Sequence, residues 1–338
     1  MELKNLFRKT SLLLALSLPV IITGCDKDDD DDIDQPKTIT QTVVDGANFT
    51  LLEAAVLKAG YADLLSTTQN LTVFAPTDDA FRQVDLNGDG TPDLDTEAQI
   101  NALSGASLDL LKSVLNYHVI ASLVPGSAIT TAGVEANTYA TTGVGPKLFG
   151  KLVGSKVYIN GVEVVSPDVA ASNGIIHVVN KVLIPPAVTI TGAVAANPDF
   201  SRLLYAINRV KNGGGADIAA ALNGAGPFTV FAPDNAAFAA SGFATDASLD
   251  AVPVATLQNI ILHHAVSGRV FSSDLTAGNV NSLLTTSDNS KNLTINLTGP
   301  AVYGAGNGAN AADWPKVKAA NLVMTNGVVH VIDKVILP

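Results

Sequence analysis

Two blocks of this chain occur twice, in the same order and at nearly the same separation. Thr-Val-Phe-Ala-Pro at 72–76 returns at 229–233, and a phenylalanine follows each copy, Phe81 and Phe238. Ser-Asn-Gly-Ile-Ile-His-Val-Val-Asn-Lys-Val-Leu-Ile-Pro at 172–185 returns at 325–338 as Thr-Asn-Gly-Val-Val-His-Val-Ile-Asp-Lys-Val-Ile-Leu-Pro. Between the blocks each half carries a leucine-rich helical pattern ending in histidine, Leu115-Asn116-Tyr117-His118 and Leu262-His263-His264. Phe74 to His177 is 103 positions, and Phe231 to His330 is 99. Spacing matched this closely means a duplicated domain. A period of about 150 residues is far longer than a solenoid repeat, so each copy is expected to be a complete folding unit.

Within each copy helical and strand periodicities are mixed. Asn48 can cap a helix through its side chain, and Leu51, Leu52, Ala55, Val56, Ala59, Leu64 and Leu65 then recur at helical spacing. Residues 71–75 read as a short apolar strand, ended by Pro76, which has no amide to donate to a ladder. Thr77 or Asp78 is expected to cap a short helix containing Phe81. Ile100, Leu103, Leu108, Leu111, Val114 and Leu115 mark another helix. Strands are predicted at 153–159, 162–165 and 174–183. In the second copy Leu203, Leu204, Ile207 and Val210 give the opening helix, broken by Gly213-Gly214-Gly215. There 228–232 repeats the first strand, Leu257, Ile260 and Ile261 the central helix, and 293–297 and 317–337 are mostly strand. The glycine- and asparagine-rich loop 304–310 has no counterpart in the first copy. Helices and strands without strict alternation indicate an α+β class. Pro185-Pro186 makes the connection short and stiff, which restricts how the copies can orient.

The start of the chain carries an address. Lys4, Arg8 and Lys9 precede an apolar run at 12–22, which reads as a secretory signal over residues 1–24. That run is too short for a membrane-crossing helix, which takes about 20 residues. Ile22-Thr23-Gly24-Cys25 resembles a bacterial lipobox. The resemblance implies cleavage before Cys25, a diacylated cysteine and an acylated new amino terminus. Two or three acyl chains anchor stably, at about 0.8 kcal/mol per buried methylene. Residues 26–34 hold seven aspartates and Lys27, a block that repels itself and stays extended as a spacer. Its position after the cysteine resembles the surface-export signal of Bacteroidetes lipoproteins, which implies an outer-membrane lipoprotein displayed at the cell surface. Cys25 is the chain's one cysteine, so no intrachain disulfide is possible. The formal charge of −11 argues against nucleic acid as a partner, which needs a basic face. The expected layout is signal 1–24, lipidated cysteine and acidic linker 25–36, first domain 37–185 and second domain 186–338.

The repeated landmarks resemble the fasciclin-like domain, a module found singly or in tandem in secreted and cell-surface adhesion proteins. Its signatures are a Thr-Val-Phe-Ala-Pro-type strand near the start, a Tyr-His or related pair, and an Asn-Gly-x-x-His-type strand at the end. Tyr117-His118 matches the pair, whereas the second copy has His263-His264. Anything carried over from the family tyrosine therefore applies to the first copy alone. The resemblance spans residues 37–338. It implies two tandem wedge-like β-sandwiches with packed helices and a non-enzymatic role in adhesion or matrix interaction. The implied partner is extracellular polysaccharide or protein, with Tyr117 and His118 as a contact site. A wedge with an open apolar end also admits a second reading, a surface or periplasmic carrier for an apolar small molecule or polymer oligomer.

Few residues suggest catalysis. The five histidines are His118, His177, His263, His264 and His330. His177 and His330 lie in alternating strands, where histidine bonds backbone more often than metal. Neighbouring His263 and His264 point about 100° apart on a helix and do not form the i, i+4 pair of a zinc site. No Gly-x-Ser-x-Gly elbow and no phosphate-binding loop occurs, so no catalytic residue is assigned. One constellation does carry chemistry. Residues 85–93 place Asp85, Asn87, Asp89 and Asp93 at positions 1, 3, 5 and 9 of an EF-hand-type calcium loop, with Gly90 at 6 and the Thr91 carbonyl at 7. Thr96 stands where the usual glutamate closes the site, with Asp95 and Glu97 beside it. Calcium is the expected ion, and a polar turn-rich hairpin is the plainer alternative.

Overall fold

In the computed structural model, which describes residues 36–85, 91–139, 145–284 and 292–338, each copy opens with helices and closes with a β-hairpin. The first runs α1 (Ile39–Asp45), α2 (Thr50–Ala59), α3 (Ala62–Thr67), β1 (Leu71–Pro76), α4 (Asp78–Phe81), α5 (Glu97–Ala102) and α6 (Gly105–Tyr117). Strands β2 (Val119–Ile120), β3 (Val134–Asn137), β4 (Lys147–Val153), β5 (Lys156–Ile159), β6 (Val162–Ala171) and β7 (Gly174–Val179) follow. Thr77 caps α4, accepting from the Ala80 amide. Asn48 does not cap α2. That helix begins after Phe49, and the carboxylate of Asp78, beyond β1, accepts the Leu51 amide at 2.8 Å. A cap delivered from 27 residues away ties the helix to the strand it packs on, a link that local propensity does not encode.

Seven strands form one sheet in the order β2-β1-β7-β6-β5-β4-β3. Only β1 and β7 are parallel, with Phe74 opposite His177. The expected strand at 153–159 is a two-residue hairpin, because Gly154 at φ 62° turns the chain between β4 and β5. The strand predicted at 162–165 extends to Ala171 with two bulges, and that predicted at 174–183 stops at Val179. The two faces of β1 and β7 carry different cores. Leu71, Val73, Ala75 and Ile176 meet the helices through Ile39, Leu52, Val56, Ile100 and Leu111. Phe74 and Val179 face the opposite way, onto Leu148, Val157 and Ile159 of β4 and β5.

The second copy runs α7 (Ile190–Ala196), α8 (Ser201–Asn212), α9 (Ile218–Leu222), β8 (Phe228–Pro233), α10 (Asn235–Ala240), α11 (Asp246–Asp250) and α12 (Val254–His263). Then come β9 (Ala265–Ser267), β10 (Gly278–Val280), β11 (Leu293–Asn296), β12 (Ala301–Tyr303), β13 (Val317–Met324) and β14 (Gly327–Ile332). Its strands divide into a sheet of order β13-β14-β8-β9 and one of order β10-β11-β12. Phe231, Val266, Leu293, Ile295, Val302 and Ile332 form one core, while Ile190, Leu203, Ile207, Val230 and Ile261 belong to the helical core. Each copy is thus an α+β domain, a sheet assembly with helices packed along it.

Candidate functional site

The residues of the two repeated blocks converge on one hydrogen-bonded skeleton in each domain. Asn173, buried, accepts the Ile39 amide at 2.9 Å and donates to the carbonyls of Leu65 and Thr68, both at 2.8 Å. Asn326 does the same with the Ile190 amide and the carbonyls of Leu222 and Gly224. The glycine after each asparagine is required by close approach. A Cβ on Gly174 would strike the Leu71 carbonyl, and one on Gly327 the Phe228 carbonyl, across the parallel strand pair. Thr72 donates to the Ser122 carbonyl and accepts the Val124 amide, and Thr229 repeats this with Gly268 and Val270.

The histidines complete the skeleton. His177 stacks on Phe74 and His330 on Phe231, each with centroids 5.3 Å apart. In each ring Nδ1 accepts an amide, from Asp168 or Asn321, and Nε2 donates to a carbonyl, of Val124 or Val270. His118 donates through Nδ1 to the Val114 carbonyl at 2.7 Å and accepts the Leu183 amide through Nε2 at 2.9 Å. His264 repeats both bonds with Ile260 and Ile336. Burial holds the imidazoles of His118 and His264 at a pKa of about 4, well below the ordinary value, and lowers that of His330 as well. Each of these four rings uses both nitrogens on backbone groups. None is poised to take a proton from a substrate.

Tyr117 and His118, the pair expected to meet a partner, are interior, at 1% and 3% exposure. The Tyr117 hydroxyl donates to the Lys147 carbonyl and accepts from the Asn160 side chain at 2.8 Å, which fastens α6 to β4 and to the turn after β5. Burial pushes its pKa up to about 12 despite that hydrogen bond, so it is a neutral phenol at physiological pH. The same position in the second domain is His263, whose Nδ1 lies 3.0 Å from the Ser282 hydroxyl.

Asp85, Thr91 and Asp93 of the calcium-like stretch lie at its described ends, and each is engaged in interactions with neighbouring groups. Asn87 and Asp89, like Cys25, lie outside the described residues. The Asp93 amide donates to the Val84 carbonyl at 2.8 Å, which closes the base of the loop. Thr96 is engaged elsewhere: its hydroxyl caps α5 in a reciprocal box with Gln99. Among the described residues no three His, Cys, Asp or Glu side chains converge as a metal site.

The seam between the domains was not legible in the sequence. The Arg269 guanidinium lies 4.0 Å over the Phe149 ring and donates to the Gly327 carbonyl at 2.9 Å. Phe271 packs on the same phenyl ring, and Lys151 reaches Asp274 at 3.1 Å. The Asn321 side chain donates to the Gly161 carbonyl, against a glycine at φ 74° whose missing Cβ leaves room for it. A cleft of about 630 Å³ opens here, bordered by Glu135, Lys147 and Lys151 from one domain and Arg269, Phe271 and Asp274 from the other. No periodicity marks these residues, because they meet across two separate folding units.

This duplicated arrangement is that of a tandem fasciclin protein. The fasciclin domain family model matches residues 47–185 and again 199–338, and the chain belongs to that family. It is 28% identical over 289 residues to a fasciclin-like arabinogalactan protein of Arthroderma benhamiae, covering 82% of this chain and 60% of that protein. It is 35% identical over 164 residues to protein sll1483 of Synechocystis, covering 48% of this chain and 79% of the relative. Against the transforming growth factor-beta-induced protein ig-h3 of Sus scrofa it is 31% identical over 153 residues, covering 45% of this chain and 20% of that protein. The chain therefore spans somewhat under two thirds of the fungal relative and a fifth of the porcine one. Among solved structures, a fasciclin domain pair from the insect cell adhesion molecule fasciclin I is similar, with a TM-score of 0.37 and 18% identity, covering 85% of this chain and 96% of that one.

Proposed function

We propose that the chain is a non-enzymatic adhesion protein, anchored by lipid at Cys25 to a bacterial outer membrane. It presents its two fasciclin domains at the cell surface to extracellular polysaccharide or protein. The observation that carries this reading is the use of His118, His177, His264 and His330 as structural ties, each with both ring nitrogens bonded to backbone. What the domains offer a partner is shaped surface, and the seam cleft, with charges of both signs around an aromatic floor, is the part we assign to contact. A glycan and matrix-protein array probed with the chain tests this. Binding that Lys147→Glu and Lys151→Glu weaken supports the cleft. Binding indifferent to both removes it as the contact region.

The anchor rests on the lipobox, and phase partitioning tests it. Cys25→Ser should move the protein from the detergent phase to the aqueous phase, and partitioning that stays the same would remove Cys25 as the anchor. In the first domain we assign calcium to Asp85, Asn87, Asp89, Asp93 and the Thr91 carbonyl. The ligand spacing supports it, as does the loop base closed by Asp93 and Val84. At a hundredfold excess over its Kd, calcium should add about 2.7 kcal/mol to the stability of the folded state. Asp85→Ala with Asp89→Ala should abolish that gain. A flat calorimetric titration at millimolar calcium would leave the loop a hairpin.

A further inference from the structure

The two domains share a skeleton but differ in one interior volume. In the second domain a cavity of about 400 Å³ lies between α7, α8, α9 and β8. The corresponding space in the first domain is a void of about 20 Å³, lined by Leu52, Val56, Leu65, Phe74 and His118. The correspondence is fixed by the duplicated hydrogen bonds. Leu65 and Leu222 give carbonyls to the repeated asparagines, and His118 and His264 cap the central helices in the same way. Counting from those anchors, Tyr61 aligns with Ile218, Leu64 with Ala221 and Val119 with Ala265. All three of the first domain's residues line its small void. Of the three counterparts Ala265 lines the second domain's cavity, while α9 turns Ala219 and Leu222 to the wall and keeps Ile218 and Ala221 outside it, so small side chains at 265 and 219 leave the space open.

Protein interiors are close-packed, with few voids larger than a water molecule. An apolar cavity of this size falls within the range of ligand pockets, about 300–1,000 Å³, and a dry void would sacrifice contacts along its whole wall. The walls are aliphatic, with Leu203, Ile207, Leu222, Val230 and Ile261 among them. His264 borders the cavity with both nitrogens already bonded to backbone, so the interior offers a ligand no polar handle there. Hydroxyl and amide groups occur at Thr189, Thr191 and Asn223, which are less buried than the walls, and among the described residues no charged side chain lines the cavity. We infer that the second domain, and not the first, holds one aliphatic chain with an uncharged polar head, such as a fatty alcohol or neutral acylglycerol. The chain lies against Leu203 and Ile207, with its head at Thr191 and Asn223. This goes beyond adhesion, and it stands whether or not the seam cleft contacts a partner.

The test exchanges the packing of the two copies. The full chain carrying Cys25→Ser, in detergent-free buffer, is titrated with 1-decanol by calorimetry and ligand-observed magnetic resonance. One saturable site per chain is expected. Ala219→Phe and Ala265→Val together fill the space and should abolish binding with the circular dichroism unchanged. The reciprocal Tyr61→Ile, Leu64→Ala and Val119→Ala should raise the stoichiometry from one to two. If the filled variant fails to fold, Ala219→Phe on α9 alone blocks the same space and should remove binding. A decyltrimethylammonium probe should bind at least tenfold more weakly than decanol. No saturable decanol binding, or binding unchanged in a folded variant with the cavity filled, overturns the inference.

Discussion

In the first domain Asn173, Thr72, His177 and His118 hold the helices to the sheet. In the second, Asn326, Thr229, His330 and His264 make the corresponding bonds to corresponding backbone atoms. What surrounds that skeleton has diverged. The first domain forms one seven-stranded sheet and fills its helical core, whereas the second divides its strands between two sheets and leaves a cavity. Tyr117, bonded to Lys147 and Asn160, is replaced by His263 near Ser282. The lesson is that backbone-directed polar groups and apolar packing respond to change differently. Removing one buried hydrogen-bond partner orphans a group and costs its full desolvation, so the polar set tolerates little. Apolar volume can be traded in steps of a methyl or a ring.

The largest expected effects fall on the stacked aromatics. Phe74→Ala and Phe231→Ala should each cost about 3–5 kcal/mol in denaturant unfolding. A loss at Phe231 less than half that at Phe74 would show that the cavity beside it had already loosened the packing. Acid comes next. Each of His118 and His264 has a folded pKa of about 4 against an ordinary 6.5, so the unfolded chain binds more protons between those values. Their contribution is therefore complete above about pH 6.5 and lost as pH falls towards 4, on the order of 3 kcal/mol each. A pH titration of chemical stability should slope in that window, and His118→Gln or His264→Gln should each flatten it by less than half, because burial lowers His330 as well. Equal flattening sharpens the equivalence of the domains.

Smaller effects separate the domains further. Asn173→Ala and Asn326→Ala orphan the Ile39 or Ile190 amide, and each should cost roughly 1–3 kcal/mol. Melting curves that respond to only one of them would break the symmetry of the skeleton. Arg269→Ala removes the cation from Phe149 and should cost about 1–2 kcal/mol. It should also uncouple the unfolding of the two domains, seen as a second calorimetric transition. Arg269→Lys should not restore coupling, because an ammonium lacks the planar fork that stacks and donates at once.

Much of the fold was legible in the sequence, because repeated blocks at 103 and 99 positions leave no other architecture for two equal halves. A cap at Thr77 or Asp78, the strand ended by Pro76 and the backbone-bonding strand histidines follow from short-range rules, and the structure contains each, with Thr77 as the cap. The cap of α2 was misread at Asn48 because its acceptor comes from Asp78, across a strand. The hairpin at Gly154 was missed because the apolar residues of 152–153 and 157–159 look like one strand when Gly154, Ser155 and Lys156 between them are passed over.

What the sequence by itself determined is whatever a few neighbouring residues can enforce: periodicity, caps, the glycines of the Asn-Gly steps and the duplication that repeats them. The tertiary structure decided the rest. It put Tyr117 and His118 in the interior, brought Arg269 onto Phe149, and set a filled core in one domain beside an open one in the other. The physical reason is distance along the chain. Asn173 meets Ile39 across 134 positions and Asn321 meets Gly161 across 160. Whether such groups find each other depends on how whole layers pack, which no local pattern records.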